Sequence, residues 1–234
     1  MKKLSMYIVL LLTLLNFINA QELSVGTDVV SRYVWRGLDF GNSPSVQPGI
    51  SYSNGGFEAG TWGAFTTDSQ ASGVDELDLY ASYSFSLGKS NLSLVVTDYY
   101  FPNAGVKLGN FNNYDDESGA GAHIFEVGAS FTLSEAFPLS ISAYSNVYND
   151  EDNSMYFEVG YSTSVKDVSL DLFAGGTTGG DNEFYGTADL NIINVGLTVS
   201  KEIKITESFS LPVFGSYIIN PNLEISYLVL GISL

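Results

Sequence analysis

Eight charged residues fall at positions where strand alternation places them on a common face: Asp28, Arg32, Arg36, Glu58, Asp78, Glu126, Glu158 and Asp171. A guanidinium fork matches a carboxylate in two parallel hydrogen bonds, so two arginines among six acids predict ion pairing. If the alternate face meets lipid, these charges belong on the inside, because Arg or Lys near a bilayer midplane costs about 2–4 kcal/mol. Two readings stand for such an interior: a structural network that fills a barrel, or a charged constriction in a channel.

Other candidate chemistry is sparse. His123 is the only histidine, placed where a long acidic link enters a strand. A hydrolase or acyltransferase would need it beside a serine nucleophile and an orienting polar group. With no local serine motif, it reads as a solvated strand-end histidine, and the chain reads as a non-enzyme. The run from Gly175 to Gly180 has no following Lys-Ser or Lys-Thr and no helix to hold phosphate, so it reads as a flexible loop. Two acidic runs, Asp115, Asp116 and Glu117 and then Asp150, Glu151 and Asp152, carry the hard oxygen ligands that suit Ca²⁺ or Mg²⁺. Neither run has EF-hand spacing, and solvated charge is the simpler reading; the sharper one is a weak cation site at external loops. There is no cysteine, which removes disulfides and thiolate metal centres, and no cofactor motif is present.

The elements that must position these residues are strands. Lys2 and Lys3, an apolar run over 7–17 and the small Ala20 before Gln21 have the form of an export signal cleaved after Ala20. Cleavage removes two lysines and no acid, which takes the formal charge from −17 to −19. That acidity argues against nucleic acid as a partner. Beyond residue 20 no continuous apolar helix exists, while 24 glycines, 15 tyrosines and 15 phenylalanines suit an all-β chain. A membrane-spanning version of such a chain must be a closed barrel.

About twelve alternating segments follow, each near the ~9–11 residues of a tilted membrane strand. The first is read as one strand over 23–36, with Tyr33 and Trp35 toward lipid. The clearest stripe is Leu77, Leu79, Ala81, Tyr83, Phe85 and Leu87, opposite Glu76, Asp78 and Tyr80. The last ends on Leu228, Leu230, Ile232 and Leu234. The stretch 184–205 is long for one strand, so the expected count runs from ten to fourteen. Short links at 54–56, 88–91, 134–138 and 165–168 alternate with long ones at 66–74, 102–121, 149–154 and 176–182, the pattern of periplasmic turns and external loops. Acids fall in the long links, and of the mature lysines only Lys107 does.

Tyr33-Val34-Trp35-Arg36-Gly37, then Gln47-Pro48-Gly49-Ile50 and Gly60-Thr61-Trp62-Gly63, resemble the opening of the Gcw-chp family, bacterial conserved hypothetical proteins taken to be outer-membrane barrels. Tyr99-Tyr100-Phe101-Pro102 and Phe125-Glu126-Val127-Gly128 are similar to its middle portion, whereas the segment after Ile193 fits less well. The resemblance implies export and a barrel, and no settled activity.

The expected architecture is therefore a signal peptide at 1–20 and a single antiparallel transmembrane β-barrel of about twelve strands at 21–234, in the cell outer membrane. The expected function is a passive pore for small polar solutes or ions with a charged lumen. The alternative is a non-transport surface barrel with a packed lumen, whose acidic loops bind divalent cations, lipid headgroups or a protein. Outer-membrane lipid and the barrel-insertion machinery are the expected partners.

Overall fold

A computed structural model describes residues 21–68, 75–114 and 119–234. The export signal, the 69–74 stretch and the first acidic run (Asp115, Asp116 and Glu117) lie outside the described residues. The strands in chain order are β1 (Gln21–Val30), β2 (Tyr33–Trp35), β3 (Leu38–Phe40), β4 (Ser45–Asn54), β5 (Phe57–Thr66), β6 (Glu76–Leu87) and β7 (Ser90–Tyr100). They continue with β8 (His123–Ser134), β9 (Phe137–Tyr148), β10 (Met155–Val165), β11 (Val168–Thr177), β12 (Asn191–Lys204), β13 (Ser210–Asn220) and β14 (Ile225–Ser233).

Twelve of these form one closed antiparallel barrel in which β1 lies between β14 and β4, while β2 and β3 pair only with each other. Closure matters physically because an open edge in lipid would leave backbone donors and acceptors unpaired. The seam is short. Asp28, Val29 and Val30 pair with Ser233, Ile232 and Gly231, and the Leu234 and Thr27 backbones exchange hydrogen bonds of 2.9 and 3.0 Å.

Register fixes the faces, since neighbours along a strand alternate sides. Leu79 pairs with Thr61 and Asp98, and it is 58% exposed on the outer surface. The Leu77–Leu87 stripe is outside, as are Leu228 and Leu230. Asp28, Glu58, Asp78, Glu126, Glu158 and Asp171 all fall on the inward parity of their strands. The inner wall between them is small and polar over much of its height, for example Ser82, Gly128, Ser130, Ser142 and Ser216.

The links sort by length to opposite ends. Short turns join β4 to β5, β6 to β7, β8 to β9 and β10 to β11, and the opposite end carries the connections 31–44, 101–122 and 178–190. In the turn after β10, outside the spanning strands, a hydrogen bond from Lys201 holds the exposed Asp167 carboxyl below the usual carboxylate range.

Three expectations are corrected here. The first strand does not reach Arg36: it stops at Val30, and the chain turns into the barrel as the β2–β3 hairpin. Tyr33 is therefore 7% exposed inside the barrel and not on lipid. The run 184–205 is one strand from Asn191, preceded by a segment that also folds inward, with Tyr185 at 1% exposure. Gly175 and Gly176 belong to β11 and are not a loop.

Candidate functional site: a hairpin latched across the lumen

The hairpin is built by a two-residue turn. Trp35 pairs with Leu38, and the intervening Arg36 and Gly37 have φ of 50° and 79°, the paired left-handed values of a type I′ turn. Glycine accepts that conformation without strain. Arginine rarely does, and a non-glycine residue held in this region marks a site where surrounding contacts over-determine the backbone.

Those contacts reach across the barrel. The Arg36 guanidinium donates through Nη1 and Nη2 to both carboxylate oxygens of Glu126 on β8, the Nη2–Oε1 distance being 2.9 Å. Its Nη1 also donates to the Tyr185 hydroxyl at 2.5 Å. The same group lies 4.4, 4.5, 4.6 and 5.7 Å from the ring centres of Trp35, Tyr144, Tyr156 and Tyr185, within cation–π range of all four. The side chains of Arg36 and Glu126 are 9% and 2% exposed, so water screens little of this attraction.

The rest of the hairpin packs on three sides. Tyr33 donates to Glu76 on β6 at 3.0 Å and lies against Trp62 on β5, with ring centres 5.5 Å apart. Val34 packs on Val30, Ile218 and Val229, while Trp35 and Leu38 cover Tyr156, Tyr185 and Ile193. Asn220 on β13 donates to the Gly37 carbonyl at 3.1 Å. Contacts to β5, β6, β8, β9, β10, β12 and β13 mean the hairpin bridges the lumen wall to wall at the long-link end.

Of the eight charges singled out from sequence, the structure joins only Arg36 and Glu126 to each other. Arg32 pairs with Asp39 across the hairpin at 2.6 Å, its side chain 31% exposed, and lies over the Tyr227 ring of β14 at 5.6 Å. Glu58 accepts from Tyr80 at 2.8 Å, and Glu158 accepts from Tyr156 at 2.5 Å and from Asn194 at 3.2 Å. Asp78 is buried two residues from Glu76 on the same face of β6. Asp28 and Asp171 sit half-buried on the wall. Sequence reasoning missed the aromatic members, Tyr99, Tyr144, Tyr156 and Tyr185, although the first three have the inward parity of their strands.

Two further side chains differ from expectation. His123 is not solvated: at 3% exposure, its Nδ1 meets the Asp98 carboxylate at 2.9 Å and its Nε2 the Leu108 carbonyl at 2.6 Å, and Phe111 stacks on the ring at 4.0 Å. The pair lies on the outer parity of β7 and β8, covered by Leu108 and Phe111. Of the second acidic run, Asp150 is buried and accepts from the Asn146 side chain and the Ser154 backbone. Glu151 and Asp152 accept from Asn182. These carboxylates serve different donors, and among the described residues no three His, Cys, Asp or Glu side chains converge as metal ligands would.

Comparison with known proteins adds the following. The profile of a family described as bacterial protein of unknown function, Gcw_chp, matches residues 18–212. No curated protein matches. Twenty-one solved chains do, among them one described under "Unveiling the Mechanism Behind the in-meso Crystallization of Membrane Proteins". That chain is 12% identical, with a TM-score of 0.52 over 92% of this chain and 83% of its own. Identity that low speaks for the fold alone, a membrane-type β-barrel.

Proposed function

Since the chain belongs to the Gcw_chp family of bacterial proteins of unknown function, its own geometry must carry the reading, and we propose an outer-membrane barrel that is shut to passive flow. The observation that carries this is the β2–β3 hairpin spanning the lumen and latched by Arg36 to Glu126. The long-link end faces outward in this reading, because outer-membrane barrels keep short turns in the periplasm. Below the hairpin the small, polar inner wall forms a cup toward the periplasm. The barrel is thus a receptor-like vessel, closed outward and accessible from within the envelope. His123, with both ring nitrogens engaged, supports a non-catalytic reading.

An open pore is the competing function, and bilayer conductance separates the two. Wild-type protein inserted in a planar bilayer is expected to be silent. A variant with 32–41 replaced by a short Gly/Ser link should show discrete steps. Steady steps of equal size in both proteins would overturn the closed reading. Fractionation of cells should recover the chain, starting at Gln21, with the outer membrane; recovery as a soluble periplasmic protein would remove the membrane assignment altogether.

A further inference from the structure

The cage around Arg36 is mostly built by residues that do not depend on Arg36. Glu126, Tyr144 and Tyr156 come from three consecutive wall strands, and Tyr144 and Tyr156 are direct register partners. Glu126 and Tyr156 are each held by hydrogen bonds to neighbours. Tyr99 donates to Glu126 Oε1 at 2.9 Å, and Tyr156 is bound to Glu158 and receives Asn194 Nδ2 at 2.9 Å. Glycines set the ring planes: a Cβ at Gly128 would lie 2.3 Å from the Tyr144 ring, and one at Gly175 would lie 2.0 Å from the Tyr156 hydroxyl. A fully buried carboxylate flanked by fixed aromatic faces is what a planar cation requires, and such a site keeps its shape when its occupant leaves.

We propose that this wall site is a receptor for small guanidinium-bearing molecules and that Arg36 is its tethered competitor. The guanidinium class follows from the two-point contact with Glu126, which a spherical ammonium cannot reproduce while stacking on the rings. A second feature points the same way: the Asn194 Oδ1, on a side chain 7% exposed beside Tyr156 and Glu158, has no hydrogen-bond partner among the described residues and offers an acceptor to a further N–H. Entry is from the short-turn end, where the wall beneath the cage is Gly128, Ser130, Ser142 and Gly160, with no bulky side chain among them. A ligand that displaces Arg36 unlatches the hairpin, so this inference rests on the closed-barrel reading for its consequence, though not for its test.

The test is chemical rescue of Arg36→Ala in detergent, read as refolding yield from urea and as the thermal midpoint of the folded fraction. Ethylguanidinium at millimolar concentration, the range in which a tethered group competes, is expected to restore at least half of the midpoint lost by the variant. Where the variant fails to fold unaided, the same addition should restore its yield. Ethylammonium and NaCl at equal ionic strength should restore little, wild type, in which the ligand must first displace Arg36, should shift far less than the variant, and Arg36→Ala/Glu126→Gln should not be rescued. Equal effects of ethylguanidinium and ethylammonium, or rescue that survives loss of the Glu126 charge, would overturn the proposal. Conductance plays no part in this readout, so a leaky wild-type barrel that still shows rescue would remove the closed reading and leave the site standing.

Discussion

Arg36→Ala is expected to destabilise the barrel by about 3–5 kcal/mol, the usual cost of removing one partner of a buried ion pair. The size comes from what stays behind. Glu126, 2% exposed, would be left without its counter-charge and with Tyr99 as its remaining donor, and the aromatic rings would face a gap where the guanidinium lay. Arg32→Ala is the internal control. Its side chain is 31% exposed against 9% for Arg36, so solvent screens its pair more and its loss should cost less than that of Arg36. Urea midpoints of the two variants in detergent give the comparison, and equal losses would show that Arg36 is not the latch. Glu126→Gln added to Arg36→Ala should recover part of the loss, because it removes the uncompensated charge rather than creating a new contact.

Gly37→Val should leave the barrel intact and open it. At Gly37, φ is +79°, and a Cβ would stand 1.9 Å from the Ile193 carbonyl oxygen and 2.9 Å from its carbon. The obstacle is the backbone of β12 inside a closed sheet, which cannot yield as a flexible side chain would. The left-handed conformation alone costs a side chain roughly 1–2 kcal/mol, but the overlap is the larger effect, and it is relieved only if the hairpin lifts away. Asn220, wholly buried, would then lose the Gly37 carbonyl it binds. The expected result is unchanged β-type circular dichroism and heat-modifiable migration together with new conductance steps. Gly55→Ala gives the contrast: φ is +61° and nothing lies within 4 Å, so only the backbone term should appear. A Gly37→Val barrel as silent as wild type would mean that something other than the hairpin closes the lumen.

The barrel itself was legible because one face of every strand forms an outward, largely apolar surface, and a period of two follows directly from that. The Leu77–Leu87 stripe and the terminal leucines show it, and parity alone puts Glu58, Asp78 and Glu126 inside. The hairpin escaped the same reasoning for a physical reason. Alternation continues through Val29, Tyr33 and Trp35, and period carries no information on whether a strand runs on or folds back into a lumen that is also partly apolar. The one available signal was Arg36-Gly37 between short alternating runs, a two-residue turn in which arginine stands in place of the usual asparagine or aspartate. Tyr185 and the cover over His123 were illegible for another reason: they lie in connections without period, and their burial is decided by walls far away in sequence.

The distances along the chain between the hairpin and its anchors bear on the order of assembly. Arg32 meets Asp39 across seven residues, so the hairpin can form by itself as soon as it is made. Its seat cannot: Tyr33 to Glu76 spans 43 residues, Arg36 to Glu126 spans 90, Arg36 to Tyr185 spans 149, and Gly37 to Asn220 spans 183. Contacts this remote gain nothing until the intervening loop entropy has been spent, which places them at the end of folding. The Ser31 amide bonds the Leu230 carbonyl at 2.8 Å, immediately next to the seam, so the entrance to the hairpin and the final strand are fastened together. Seating is then coupled to circularisation of the sheet: a barrel with a strand missing or slipped in register offers Arg36 no Glu126 at the right height, and its hairpin stays loose. Trp35, one of two tryptophans in the chain, moves from solvent to the aromatic cage at that step, which makes its emission a kinetic marker for the last event of assembly rather than for insertion.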